Sequence, residues 1–225
     1  NPVSGQREVA LMSEQQEIAI GRDMAPKVLQ AYGKYENDAL QAYVQGVGEK
    51  LAAVSHRPNL VYRFTVVDST EVNAFALPGG YIYITRGLLA YLGSEAELAG
   101  VLGHEIGHVT ARHAVRQYTA ATAAQLGMTL GGIFVPGMGS NVAQNVVGVL
   151  GQAMLSGYGR DHELESDSLG AEYLARTGYD PQAILGVLRT LKAQGDYATA
   201  QAKAEGRQPQ TYHGLFASHP DEDTR

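Results

Sequence analysis

The stretch "HEIGHVTARH", residues 104–113, places three histidines and a glutamate within ten residues. An α-helix turns about 100° per residue, so His104 and His108, four apart, stand nearly one above the other on one face. Two imidazoles at that spacing can grip one metal ion. Glu105 is displaced by one residue, so its carboxylate can reach a water on the metal rather than the metal itself, the arrangement H-E-x-x-H. Zinc lowers the pKa of its bound water to about 7. Glu105 can then take the proton as the water attacks an amide carbonyl, and return it to the leaving nitrogen. Two ordinary helix histidines are the competing reading, and the glycines on either side favour the metal site.

Two protein ligands do not complete such a site, because catalytic zinc usually has three plus water. His113 is the nearest candidate, but on a continuous helix it lies about 180° from His104 and about 140° from His108. It is expected to face away, as a surface or second-layer histidine. The longer pattern H-E-x-x-H-x-x-G-x-x-H is not met, since Ala111 and Ala114 stand where it needs Gly and His. The acid-rich "ELESD", residues 163–167, is the better source. Glu163 and Asp167 are four apart and share a helix face, while Glu165 points roughly opposite. One carboxylate of that pair can coordinate while the other holds the far nitrogen of a ligand histidine. The same acids also suit the positive end of a helix dipole, and the spacing alone serves either reading.

Rigid elements must carry these groups. "SEAELAGVLGHEIGHVTARHAVRQY" (94–118) reads as one helix, with Ser94 and Glu97 as a capping box and Val101, Leu102, Ile106 and Val109 as an apolar face. Gly103 and Gly107 each cost about 1 kcal/mol against Ala there, which makes sense if another backbone or a ligand comes close. "RDHELESDSLGAEYLART" (160–177) is a second helix ending at Gly178, and Asp180-Pro181 opens a third to about Gln194. Upstream, Ser13 with Gln16 starts one helix and a second covers about Asp38 to Val54. The period then changes: "VYRFTVVD" (61–68), "VNAFAL" (72–77) and "YIYIT" (81–85) read as a small sheet, antiparallel at least in part. Residues 117–159 carry no Asp, Glu, Lys or Arg. They read as two buried helices around a "FVPGMGSN" loop, or as a lid or membrane-contacting flap; polar residues interrupt every apolar run short of a span.

The expected architecture is α+β, mainly α, in a single domain over 1–225: N-terminal helices (1–60), an about three-stranded sheet (61–85), the histidine helix (94–118), uncharged lid-like helices (119–159), the acid-rich and following helices (160–195) and a C-terminal segment (196–225). Its 225 residues, 44% hydrophobic, suffice for one real core. A net charge of −6 with scattered Lys and Arg argues against a nucleic-acid partner. The sequence has no cysteine, so disulfides, thiolate metal sites and cysteine nucleophiles are excluded. No initiator Met and no signal peptide are visible, which fits a mature end left by processing or an imposed boundary.

"HEIGH" followed by "RDHELESD" resembles the glutamate-zincins of the HtpX-like, BepA-like and CAAX-prenyl-endopeptidase family, metallopeptidase family forty-eight. Its second motif, Glu-x-x-x-Asp preceded by Ser-Arg-x-x, maps onto Arg160, Glu163 and Asp167, with Gly159 in place of Ser and Ser166 in place of Ala before the Asp. The resemblance implies one Zn2+ per chain on His104, His108 and Glu163, Glu105 as general base and then acid, and Asp167 orienting a ligand histidine. Arg160 becomes a candidate oxyanion stabiliser, or else a structural ion-pair partner. "VNAFALPGGYIYITRGLL" (72–89) is similar to the family's edge strand, implying Asn73, Ala74 and Ala76 as contacts to an extended substrate. "SHP" (218–220) implies that His219 could cap the metal as a fourth ligand in a latent state, and a solvent-exposed loop histidine is the competing reading. No transmembrane pair is seen, so the soluble BepA-like branch fits best. The implied protein is a periplasmic or envelope endopeptidase acting on unfolded or misassembled proteins. Outer-membrane assembly partners and peripheral membrane contact through 119–159 are further implications. The alternative is a latent or chaperone-like zinc-binding assembly factor with a capped site.

Overall fold

The computed structural model of the chain describes residues 2–5, 10–130 and 158–205. The lid-like segment beyond Leu130, its "FVPGMGSN" loop, His213 and His219 lie outside the described residues. The architecture is α+β and mainly α, with a three-stranded mixed sheet.

Helix α1 (Glu14–Tyr32) starts at the expected capping box: Gln16 N donates to Ser13 Oγ at 3.2 Å and Ser13 N donates to Gln16 Oε1 at 2.9 Å. Helix α2 (Asp38–Ala53) is capped by Asn37, which accepts from Leu40 N at 3.0 Å. Strands β1 (Arg63–Val67), β2 (Ala74–Leu77) and β3 (Tyr81–Thr85) follow in sheet order β1-β3-β2. The β2–β3 pair is antiparallel and the β1–β3 pair parallel, so the sheet is mixed. Alternation sorts the side chains onto two faces. Val67, Leu77 and Tyr83 pack with Met24, Val28 and Tyr32 of α1. Phe64, Val66, Ala74, Ala76, Ile82 and Ile84 join the main core with α2 and the histidine helix.

The sheet's two edges are treated differently. On β1, the Gln41 side chain donates to Val66 O at 2.8 Å and accepts from Val66 N at 2.9 Å, while Gln45 accepts from Phe64 N at 2.8 Å. Two amides of α2 thus stand in for a fourth strand. On β2, Thr85 N donates to Asn73 O at 3.0 Å, so Asn73 faces β3. By alternation along an antiparallel pair, the N–H and C=O groups of Ala74 and Ala76 point away from the sheet.

After the short helix α3 (Arg86–Leu89) comes α4 (Glu95–Thr110), with Ser94 accepting from Glu97 N at 3.2 Å. The return bond shifts by one residue: Glu97 accepts from Gly93 N at 2.6 Å. The sequence suggests one helix through Tyr118, but α4 ends at Thr110 and α5 (His113–Leu130) starts anew. Arg112 between them has φ 56°, a left-handed conformation that an L side chain adopts at a cost. Glu17, buried on α1, holds it there, accepting from Arg112 Nε at 2.8 Å and from Arg57 Nη1 at 2.8 Å. Arg57 also donates to the Val109 carbonyl at 3.0 Å, which accepts from Arg112 N at 3.2 Å as well.

Helix α6 (Arg160–Thr177) ends at left-handed Gly178, as its composition suggests. The last helix, α7 (Ala183–Ala204), runs about ten residues past the sequence expectation. Among the described elements the α4–α6 pair is the most extensive junction, and backbones approach closely there. A Cβ on Gly107 would meet Ser166 Oγ at 2.6 Å and Ser166 O at 2.8 Å, and one on Gly170 would meet His104 N at 3.0 Å. Backbone lies against backbone, so the glycines are there for the approach of another chain segment. Gly107→Ala is expected to destabilise by about 1–3 kcal/mol through overpacking. Gly46, with nothing within 4 Å of its would-be Cβ, is the control. Gly46→Ala should stabilise by about 1 kcal/mol, and urea unfolding of both variants checks the pair.

Candidate metal centre

Helices α4 and α6 bring three side chains to one point. His104 Nε2 lies 2.9 Å from His108 Nε2. The Glu163 carboxylate reaches both, with Oε2 at 3.4 Å from His104 Nε2 and Oε1 at 3.4 Å from His108 Nε2. All three residues are buried, and among the described residues they form the metal-competent group. Donors at about 2.0–2.1 Å from a tetrahedral zinc stand about 3.3 Å apart, which these separations approximate. Their chemistry points the same way. His104 Nδ1 is 2.8 Å from Asp167 Oδ1. A carboxylate only accepts, so Nδ1 carries the hydrogen and Nε2 of the neutral ring presents a lone pair. That lone pair faces a second imidazole nitrogen and a carboxylate, and a cation between them satisfies all three.

Glu105 is buried at 1% exposure, one position round α4 from His104. Tyr158 stacks on the His108 ring at 4.2 Å between centroids and 19° between planes. Burial pushes its phenol well above the usual tyrosine range, and the nearby Glu105 and Glu163 carboxylates add to the rise. Ala76, Leu77 and Pro78 share a cavity of about 10 Å³ with His108, Arg112 and Tyr158. The end of β2 therefore borders the site.

His113 does not face away. The left-handed turn at Arg112 swings it back, fully buried, with Nδ1 at 2.8 Å from His108 Nδ1. Its other nitrogen, Nε2, is 3.0 Å from Glu165 Oε2, which also accepts from Arg116 Nη1 at 2.6 Å. Burial holds the His113 imidazole down at about 3, against the pull of Glu165. Burial pushes the Glu165 carboxyl up, but the hydrogen bonds from His113 and Arg116 outweigh it and leave it below the usual range. His162 stacks on His113 at 4.3 Å and 17°. The angular reading of His113 failed because it presumes an unbroken helix. The residue that breaks it, Glu17, is 95 positions from Arg112, so no local pattern reveals it. Tyr158 was also missed, although an aromatic residue at the edge of an uncharged run beside the acid-rich motif was a visible signal.

The remaining candidates are dispersed. Arg160 is exposed at the first position of α6, without an ion pair among the described residues. Asn73 directs its backbone to Thr85, with Asn73 N donating to Thr85 Oγ1 at 3.1 Å. His56 pairs with the Tyr173 hydroxyl at 2.8 Å and takes no part in the centre.

The sequence model described as Peptidase family M48 matches residues 38–225. A β-barrel assembly-enhancing protease of Yersinia pestis is 31% identical over 198 residues, covering 84% of this chain and 40% of the relative. The protein of the same name from Escherichia coli K12 is 30% identical over 207 residues, 88% of this chain and 42% of the relative. The mitochondrial metalloendopeptidase OMA1 of Arabidopsis thaliana is 34% identical over 163 residues, 69% of this chain and 32% of the relative. The chain thus spans about two fifths of the length of the first two relatives.

A converging donor set of this kind ties folding to metal. Free zinc at a hundred times its dissociation constant should raise unfolding free energy by about 2.7 kcal/mol. Thermal unfolding with and without zinc measures the gain, and His104→Ala should abolish it.

Proposed function

The chain belongs to Peptidase family M48, and from that premise we propose that it is a zinc-dependent endopeptidase. Family membership implies a divalent metal, and zinc is the ion best suited to two imidazoles and a carboxylate in a small buried site. The observation that carries the reading is the convergence of His104, His108 and Glu163, with Glu105 one step round the same helix. A purely structural site has no use for a buried carboxylate in that position.

Held by His104, His108 and Glu163, zinc would supply Lewis-acid activation of a water and of the scissile carbonyl. Glu105 accepts the proton from the attacking water and delivers it to the departing amine. Asp167 holds His104 through Nδ1 and so keeps its Nε2 available. An extended peptide pairs with the outward N–H and C=O groups of Ala74 and Ala76, adding a strand to the sheet beside the site. Both side chains are small and face the main core, so the strand can lie close to α4. Asn73, its backbone engaged with Thr85, contributes through its side chain.

The substrates on this reading are unfolded or misassembled proteins, since edge-strand pairing requires an extended chain. Relatives named for enhancing β-barrel assembly support a role in envelope protein quality control, in the bacterial periplasm. Among the described residues no helix is long and apolar enough to cross a membrane.

Glu105→Gln keeps the shape of the side chain and removes its basicity. The variant should bind zinc as the parent does and lose about 10²–10⁴-fold of casein cleavage. Undiminished cleavage would sink the mechanism. If the parent binds zinc and an assembly client but cleaves nothing, the assembly-factor reading takes its place. Ala76→Pro deletes one outward N–H without touching the metal ligands. It should raise KM for casein more than it lowers kcat, a split read from initial rates.

A further inference from the structure

The two histidines of the centre are held from behind in different ways. His104 leans directly on a carboxylate, Asp167, at 2.8 Å. His108 leans on another histidine, His113, at 2.8 Å between Nδ1 atoms, and the carboxylate comes one step later, at Glu165. A bond between two imidazole nitrogens has no direction until one of them is assigned the hydrogen.

The outer end of this series assigns it. Arg116 always carries its hydrogens and donates to Glu165 Oε2 at 2.6 Å. Glu165 is an acceptor, so His113 Nε2, 3.0 Å away, must donate. A neutral imidazole has one N–H, which leaves His113 Nδ1 bare and able only to accept. His108 Nδ1 must then be the donor, and the lone pair of His108 lies on Nε2, facing His104 and Glu163. An aromatic ring lies flat against each imidazole, Tyr158 on His108 and His162 on His113, so the ring planes are fixed as well.

We infer that His113 and Glu165, anchored by Arg116, are positioning residues that lock His108 in the tautomer whose Nε2 faces the metal. The inference rests on the reading of His108 as a ligand. It assigns work to the third histidine of the opening motif and to the middle acid of "ELESD".

Two measurements test it. In the zinc-loaded protein with ¹⁵N-labelled histidine, long-range ¹H–¹⁵N correlation should show His113 as the Nε2–H form and His108 protonated on Nδ1. Finding His113 as the Nδ1–H form would overturn the relay. Chelator competition should show zinc bound about 10–100-fold more weakly by His113→Ala and Glu165→Ala. Glu165→Gln retains an acceptor oxygen and should recover most of that loss. Equal zinc affinity in the parent, His113→Ala and Glu165→Ala would overturn the relay and leave His108 as a ligand. A parent that binds no zinc would overturn both readings. Should His113→Ala not fold, the labelled parent and the two Glu165 variants still decide the question.

Discussion

The distance between the backbones of α4 and α6 governs everything at the centre. Two histidines come from one helix and the carboxylate from the other, so the donor set exists only if the helices nearly touch. Gly107 lies under Ser166 and Gly170 under His104, and a methyl group at either position would meet backbone atoms at 3.0 Å or less. Ser166 adds a bond from Oγ to His104 O at 2.5 Å, which fastens the two helices at the level of the ligand itself. Each glycine costs helix propensity, and the gain is a donor geometry that longer side chains at the interface would open.

Much of this was legible in the sequence. The capping boxes at Ser13 and Ser94, the period-two strands and the H-E-x-x-H spacing are local signals, and local physics gives them their meaning. That Glu163 and Asp167 share a face followed from helical spacing, while their roles toward the histidines came from the family resemblance. His113 was legible only in part. Its placement depends on a left-handed Arg112, and that conformation is held by Glu17 from a different element. A rule that assumes continuous helix cannot see a break whose cause lies outside the window. The seal on β1 was equally hidden, because Gln41 and Gln45 look like ordinary polar helix residues until a strand is laid beside them.

Burial, more than charge, organises the second layer. His104, Glu105, His108, His113 and Glu163 are all withdrawn from water, and buried polar groups must be satisfied by defined partners. The partners are graded outward: carboxylate or imidazole next to the ligands, then Glu165 at the margin, then the Arg116 guanidinium where solvent begins. Charge is thus delivered to the centre through hydrogen bonds, with the bare cation kept at a distance. The sheet completes the enclosure from the other side, with one edge closed by α2 and the other turned toward the histidines.

Glu17 belongs to α1, and the family match begins only at residue 38. A carboxylate outside the span of the family model therefore pairs with two guanidinium groups inside it. If the chain were shortened to start at that boundary, Arg57, 7% exposed, would keep its charge and lose its counter-charge, and Arg112 would lose the restraint on its backbone. The family model thus leaves out one helix on which the interior depends.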